Sequence, residues 1–157
     1  MLAAPIHQDG RIEHDSFFED VTRTSVIVDM REFRASLPLE LHKHNMSVIP
    51  CTLEVGDYIL SPTICVERKS LSDLIGSFKS GRLYSQCESM SHYYEQPCLL
   101  IELGEDVIPE DVKEKLVVLL ITFPKVRVLW SLAGDESAQI FKELKVRYLF
   151  WICRLIW

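Results

Sequence analysis

The stretch LEVGDYILSPTICVERKSLSDLIGS, residues Leu53–Ser77, alternates apolar and polar side chains in a pattern typical of β-strands, yet it is rich in charge. Its charged residues include the acidic Asp57, Glu67 and Asp73 and the basic Arg68 and Lys69. A charged side chain is costly to bury unless an opposite charge or a hydrogen bond compensates it. We therefore expect this stretch to bind a metal ion and a phosphate group.

A turn centred on Pro62 predicts that the flanking strands form a hairpin in which Asp57 lies opposite Glu67. Two carboxylates that face each other repel, so a cation is expected between them. Glu67 and Lys69 are two residues apart in one strand and should point to the same side, roughly 7 Å apart. Arg68 should point to the other side. The hairpin thus predicts two carboxylates and one ammonium at a single place.

This combination of groups suits the metal-dependent cleavage of a phosphodiester. Mg²⁺ and Mn²⁺ prefer hard oxygen ligands and accept one or two protein carboxylates. The ion polarises a phosphoryl oxygen, and a lysine can neutralise the charge that develops. Asp29 ends the first apolar strand, SVIVDM, at the kind of strand end where sites of α/β proteins usually lie. We expect Asp29 to reach the same region.

Each of these residues also has a structural interpretation. Asp57 follows Gly56 and could belong to a turn. Asp73 comes three residues after Ser70 at the start of a predicted helix, so it could complete a capping box as readily as serve the site. The sequence Glu67–Lys69 could be a solvated strand end. The combined spacing, Asp followed after nine residues by Glu-x-Lys, favours a functional site over these separate explanations.

The remainder of the chain alternates predicted strands and helices, which indicates an α/β fold with a hairpin inserted early. The predicted strands are SVIVDM, MSVIPCTLEV, YIL, TICVERK, PCLLIEL and KVRVLWS. The predicted helices are REFRASLPLELHKHN, which Pro38 should kink or split, two helices separated by Gly81, PEDVKEKLVVLLITF and DESAQIFKELK. Residues 1–24 are acidic and aperiodic and are expected to form a flexible lead-in.

Composition narrows the class of protein. The chain has 157 residues, enough for one domain, and its net charge of −6 argues against non-specific coating of nucleic acid, although the acidic excess is concentrated near the N-terminus. The five cysteines are scattered without a zinc-ligand pattern, and we expect reduced, mostly buried thiols. No secretory signal precedes the first strand, so a cytosolic or nuclear protein is expected.

The last twelve residues, VRYLFWICRLIW, are nearly all apolar. They are too few to span a bilayer. They could form a final core strand or helix, an aggregation-prone end, or half of an interface with another chain. We favour an abnormal or truncated terminus, and the expected organisation is a lead-in over 1–24, one domain over 25–145 and an atypical tail over 146–157.

The motif GDYILSPTICVERKSLSD resembles the signature of the XPF family of structure-specific endonucleases, in which Gly-Asp is followed by Glu-Arg-Lys and then by Asp. The segments VIVDMREFRASLP, GRLYSQC and PCLLIE are also similar to that family, and the likeness covers Val26 to Lys145. The resemblance implies a restriction-endonuclease-like α/β fold, with a central mixed sheet flanked by helices. It also implies incision of DNA, dependent on Mg²⁺ or Mn²⁺, beside duplex/single-strand junctions during DNA repair in the nucleus.

The resemblance further implies a dimer with a non-catalytic repair subunit or with a second copy, and no membrane association. A non-catalytic DNA-binding or dimerisation module with the same fold is the alternative. Positions that match the family motif receive the following implied roles. Asp57, Glu67 and Asp29 would hold the metal; these three with Lys69, Arg68 and Asp73 would be catalytic; Arg31, Glu32, Arg82, Tyr84 and Gln86 would bind DNA or support the site.

Overall fold

A six-stranded mixed sheet forms the centre of the computed structural model, which describes residues 25–156 and side chains as far as residue 147. The strands run in the order β2-β1-β3-β4-β5-β6 across the sheet. Their bounds are β1 Ser25–Asp29, β2 Ser47–Cys51, β3 Tyr58–Ile59, β4 Ile64–Ser70, β5 Gln96–Glu102 and β6 Arg127–Ser131. The predicted lead-in over 1–24 lies outside the described residues.

The short strand β3, at the centre of the sheet, runs in the direction opposite to the other five strands. It pairs antiparallel with both β1 and β4, whereas β1 pairs parallel with β2, and β4, β5 and β6 are parallel to one another. The pairs Tyr58 with Val66 and Ile59 with Cys65 confirm the register predicted from a turn centred on Pro62. The hairpin therefore brings the motif residues into the middle of the sheet.

Helices cover both faces of this sheet. They are a 3₁₀ helix Met30–Arg34, α1 Leu37–Lys43, α2 Leu71–Ser80, α3 Arg82–Tyr93, α4 Glu110–Thr122 and α5 Gly134–Ile156. Ser70 caps α2 by accepting a hydrogen bond from the Asp73 amide, and Gly81 ends α2 in the left-handed conformation at φ 74°. The predicted helix start at Ser70 and break at Gly81 are thus confirmed.

The alternation of side chains along the strands produces two apolar cores. Val28, Tyr58, Val66 and other buried residues pack with α1 and α5 on one face, where Phe141 is fully buried. Leu99, Ile101 and their neighbours pack with α2, α3 and α4 on the opposite face. Because neighbouring residues of a strand point to opposite faces, successive residues of β4 contribute to different cores.

Pro38 divides the first predicted helix as expected, and two other elements differ in length from the prediction. The predicted helix over residues 31–45 is divided into the 3₁₀ helix and α1, because Pro38 occupies the first turn of α1, where its missing N–H costs nothing. The predicted strand over residues 46–55 is shorter and ends at Cys51. Helix α5 is longer than the predicted helix DESAQIFKELK, since its backbone continues to Ile156.

Two further observations concern expectations from composition. Cys65, Cys87 and Cys98 are buried free thiols and Cys51 is an exposed one, which agrees with reduced, mostly buried cysteines over the described residues. Within the same part of the chain, no helix is both long and apolar enough to cross a membrane.

Candidate active site

The β3–β4 hairpin brings Asp57, Glu67 and Lys69 together. The amide of Asp57 donates to the Val66 carbonyl at 2.9 Å, and the amide of Arg68 donates to Oδ2 of Asp57 at 2.8 Å. Glu67 and Lys69 point to the same face of β4, and the Lys69 ammonium donates to Oε1 of Glu67. The predicted meeting of two carboxylates and one lysine is therefore present in the fold.

Gly56 allows the chain to enter this hairpin. Its φ is +73°, in the left-handed region that favours glycine, and a Cβ atom added to it would overlap the sulfur of Cys65. Both conditions exclude a side chain at this position. The backbone of the neighbouring Asp57 can then approach β4 closely.

Gln86 of α3 reaches the same carboxylate from the helical layer above. Its Nε2 donates to Oε1 of Glu67, the oxygen that also accepts from Lys69. Among the residues that the structure describes, Oε1 of Gln86 is buried without a hydrogen-bond partner. Oε2 of Glu67 and Oδ1 of Asp57 likewise accept no hydrogen bond from any described residue. Each carboxylate is thus held by hydrogen bonds to one of its oxygens, and its other oxygen remains available to a ligand.

The surroundings of Asp57 and Glu67 disfavour the charged form of both carboxyl groups. Burial raises the pKa of Glu67 to about 7, and the neighbouring charge of Asp57 adds to the effect while Lys69 opposes it. Burial likewise raises the pKa of Asp57. Glu67 is 3% exposed and Lys69 is 4% exposed. A pair of this kind favours a bound cation, since a cation would relieve the repulsion between two poorly solvated carboxylates.

Asp29 lies at the end of β1 as predicted, and both oxygens of its carboxylate accept hydrogen bonds from other residues. Oδ1 accepts from the amide and Nε of Arg31, at 2.8 and 2.7 Å, while Oδ2 accepts from Nη2 of Arg31 at 3.0 Å and from the Leu53 amide at 2.9 Å. These bonds hold the pKa of Asp29 well below its usual range against the effect of burial. Asp29 thereby fixes Arg31, whose side chain is 74% exposed.

The carboxylate of Asp29 thus contacts Arg31 and Leu53 in this structure, and its role as a third metal ligand remains a prediction. No group of three or more His, Cys, Asp or Glu side chains within residues 25–147 is arranged to hold one metal ion. The hard oxygen chemistry of Asp57 and Glu67 still fits Mg²⁺ or Mn²⁺, which keep several waters and need only one or two protein carboxylates. The buried, unpartnered oxygen of Gln86 is a further acceptor beside Glu67.

Arg68 points away from this pair, as predicted, into a polar network on the opposite face. Its Nε donates to Oε2 of Glu102 at 2.9 Å, and its Nη1 lies 3.7 Å from Oε2 of Glu32. The Tyr58 hydroxyl donates to the same Glu32 oxygen at 3.1 Å, and the Ser137 hydroxyl donates to Oε1 of Glu102 at 2.7 Å. Burial raises the pKa of Glu32. The network braces the residue whose amide holds Asp57.

Sequence reasoning did not identify Glu102. Its signal is an acidic residue at the end of the buried strand PCLLIEL, and in the parallel register Glu102 pairs with Ser70, just after Lys69. An acid at the carboxyl end of a strand next to the motif strand is a candidate for contact with motif residues. Arg68 would have been the expected partner.

Three predicted site residues contact other groups. Asp73 contacts the N-cap of α2, since its amide donates to the Ser70 hydroxyl at 3.2 Å and that hydroxyl donates to its Oδ2 at 2.8 Å. Nη2 of Arg82 donates to the Ser77 hydroxyl at 3.3 Å. Tyr84 packs between two aromatic rings, with centroid distances of 6.3 Å to Phe78 and 6.2 Å to Phe123. Within the described structure none of the three is hydrogen-bonded to the carboxylate pair, and their catalytic or DNA-binding roles remain predictions.

Comparison with known proteins gives a consistent result. The model of the ERCC4 domain matches residues 28–144. The chain is 54% identical to the DNA repair protein rad16 of Schizosaccharomyces pombe over 76% of its length and 15% of that protein. It is 49% identical to the DNA repair endonuclease XPF of Cricetulus griseus over 90% of its length and 16% of that protein. The chain thus spans about 15% of the length of these curated relatives.

Solved structures show the same fold. XPF from Aeropyrum pernix in complex with DNA superimposes with a TM-score of 0.72 at 28% identity, covering 80% of this chain and 65% of that one. A second structure of XPF from Aeropyrum pernix gives a TM-score of 0.70 at 30% identity, covering 77% and 63% respectively.

Proposed function

Because this chain belongs to the ERCC4-domain family and carries an XPF nuclease domain of the restriction-endonuclease-like α/β fold, we propose that it is the catalytic part of a metal-dependent, structure-specific DNA endonuclease. Its substrate is DNA with a junction between duplex and single strand. The reaction is hydrolysis of a phosphodiester near that junction. The names of its eukaryotic relatives support a role in DNA repair and hence in the nucleus.

One observation carries this proposal. Asp57 and Glu67 are each anchored through one carboxylate oxygen, and the other oxygen of each accepts no hydrogen bond from the described residues. Burial raises the pKa values of both groups, and the charge of Asp57 raises the pKa of Glu67 further. A divalent cation that binds the two remaining oxygens would offset both effects, whereas a purely structural pair would gain from two neutral residues at these positions. These two residues would hold Mg²⁺ or Mn²⁺.

The protein groups around this pair have distinct tasks. A bound Mg²⁺ or Mn²⁺ supplies Lewis-acid polarisation of the phosphoryl oxygen. The Lys69 ammonium, held against Glu67, orients the attacking water and neutralises charge that develops on the phosphate. Gln86 and Lys69 together keep Glu67 in one orientation. The exposed guanidinium of Arg31, fixed by Asp29, holds a phosphate of the DNA backbone.

Pairing with a second subunit is also part of the proposal. Several large apolar side chains on α4 and β6 are exposed: Val117, Val118, Ile121 and Trp130. Exposed apolar side chains of this size support a partner, either a non-catalytic repair subunit or a second copy of the chain. Sedimentation of the wild-type chain and of Ile121→Glu would test self-association, which the charge should weaken.

The decisive experiment is incision of an end-labelled stem-loop or splayed-arm DNA by the purified chain with Mn²⁺ or Mg²⁺. Cleavage near the junction should disappear in Asp57→Ala and Lys69→Ala. The matched control Asp106→Asn removes an exposed acid outside the site and should cut like the wild type. Normal cutting by the first two variants would overturn the proposal. Metal binding without cleavage of any junction would favour a non-catalytic DNA-binding module.

A further inference from the structure

The 3₁₀ helix Met30–Arg34 presents two chemically different faces to solvent. A 3₁₀ helix has three residues per turn, so residues three apart share a face. Met30 and Phe33 therefore form one apolar face, and Arg31 and Arg34 form a basic one. Glu32 points inward to the Tyr58 hydroxyl. The helix fully buries none of its residues, so both of these faces are open to solvent.

The apolar face is exposed to solvent beside the basic one. Met30 is 57% exposed and Phe33 is 48% exposed, directly beside the exposed Arg31 and Arg34. Folding would normally remove two such side chains from water. Their exposure beside two guanidinium groups indicates a ligand that is both apolar and anionic.

A recess with a volume of about 800 Å³ begins at Phe33. It follows α1 toward the first residues of β2 and is lined by apolar groups such as Pro38 and Leu39 and by the polar side chains of His42 and Asn45. A mostly apolar recess with a few polar groups is the usual setting for a planar organic ligand. It has ample room for a nucleobase.

The 3₁₀ helix begins beside the candidate active site. The Asp29 amide donates to the Asp57 carbonyl at 2.9 Å, so the 3₁₀ helix begins next to the strand that carries the first carboxylate. The Asp29 carboxylate also holds Arg31 in place. A ligand on the 3₁₀ helix would thus be connected to the reacting phosphate by a short length of backbone.

We propose that Met30, Phe33 and the recess bind an unpaired nucleotide of the DNA substrate, whose base stacks on Phe33 while Arg31 and Arg34 hold the adjoining phosphates. This inference rests on the proposed function and specifies its substrate. Single strands are bound by aromatic stacking combined with basic side chains along the backbone. Bases inside a duplex are already stacked and paired, so only a strand that leaves the duplex can occupy this surface. The surface therefore selects a junction.

The test compares the binding of splayed-arm DNA with that of a fully paired duplex of the same length, using the whole 157-residue chain and Ca²⁺ in place of Mg²⁺ to prevent cleavage. Fluorescence anisotropy gives both dissociation constants. Phe33→Ala should weaken binding of the splayed-arm DNA by about 5-fold or more and leave duplex binding unchanged. 2-Aminopurine placed at the first unpaired nucleotides should be quenched by the wild type and not by this variant.

Matched variants separate stacking from folding. Tyr93→Ala removes a 68% exposed aromatic ring at the end of α3, just before β5, and should change neither dissociation constant. Phe33→Trp should retain binding of the splayed-arm DNA, and thermal melting of each variant confirms its fold. Equal weakening of both DNAs by Phe33→Ala, or no weakening of either, would overturn the inference, as would a wild type that does not prefer splayed-arm DNA.

The outcome is separable from that of the proposed function. Incision by a wild type whose binding does not depend on Phe33 would refute only the nucleotide surface. Binding that depends on Phe33, together with no incision by any metal, would refute the nuclease and leave the surface in place.

Discussion

The release of a proton when a divalent metal binds is the sharpest consequence of the carboxylate pair. Burial and Asp57 raise the pKa of Glu67 to about 7. A metal binds the deprotonated carboxylate, so a proton present before binding must leave. The number of protons released when Mn²⁺ binds should therefore depend on pH near this pKa.

The magnitude follows from the pKa. With a pKa of about 7, roughly 0.8 of the Glu67 carboxyls are protonated at about pH 6.5 and roughly 0.1 at about pH 8. Mn²⁺ binding should therefore release about 0.8 proton per ion at the lower pH and about 0.1 at the higher one. The apparent affinity should fall about 4-fold between the higher and the lower pH, because that is the ratio of the deprotonated fractions.

Titration calorimetry measures this directly. The enthalpy of Mn²⁺ binding, taken at each pH in two buffers that differ in their ionisation enthalpy, gives the number of protons released. Glu67→Gln should release fewer protons than the wild type at the lower pH, because one of the two carboxyls with a raised pKa is gone. Equal proton release at the two pH values, or a proton release that is unchanged in Glu67→Gln, would refute the assignment of Glu67 as a metal ligand with a raised pKa.

Three further predictions concern the stability of the fold that holds the site. Gly56→Ala should lower the free energy of unfolding by at least about 2 kcal/mol, because the residue has a positive φ and the new Cβ would overlap the sulfur of Cys65. Gly76→Ala on α2 should raise the free energy of unfolding by up to about 1 kcal/mol, because its Cβ would enter open space. Urea denaturation of both variants checks the contrast, and equal effects would contradict it. Ser70→Ala should cost about 1 kcal/mol by removing the cap of α2, and an unchanged urea midpoint would argue against that cap. Glu102→Gln should lower the free energy of unfolding by about 1–3 kcal/mol, because it weakens the charged hydrogen bonds of Arg68. It should also slow incision, because the amide of Arg68 holds Asp57. Full activity and full stability of this variant would exclude the bracing role of Glu102.

Predictions that depend on neighbours in the chain were confirmed. The turn at Pro62 is a local feature, and it was enough to set the register of the β3–β4 hairpin. Ser70 and Gly81 act within one turn of α2, so their effects could also be read from spacing. The period of two along β4 placed Glu67 and Lys69 on one side and Arg68 on the other. The family motif added the chemistry to this geometry.

The roles of individual charged residues depended on partners that are distant in sequence. The place of Asp29 at a strand end predicted that it reaches the site, but not that its carboxylate accepts from Arg31 and from the Leu53 amide, 24 residues away. Glu102 was not identified because its contact with Arg68 spans 34 residues and two parallel strands. No local pattern specifies which donor will meet a given carboxylate.

The sequence by itself therefore determined the elements, the hairpin register and the identity of the carboxylate pair with its lysine, because each depends on strand period, turn chemistry or motif spacing. Only the tertiary structure decided which carboxylate oxygens accept no hydrogen bond from the described residues. It also decided that the carboxylate of Asp29 binds Arg31 and that Glu102 binds Arg68. The reason is that the sequence gives only the presence of a carboxylate. Its pKa, and whether its oxygens accept hydrogen bonds, depend on burial and on donors that folding brings close from distant parts of the chain.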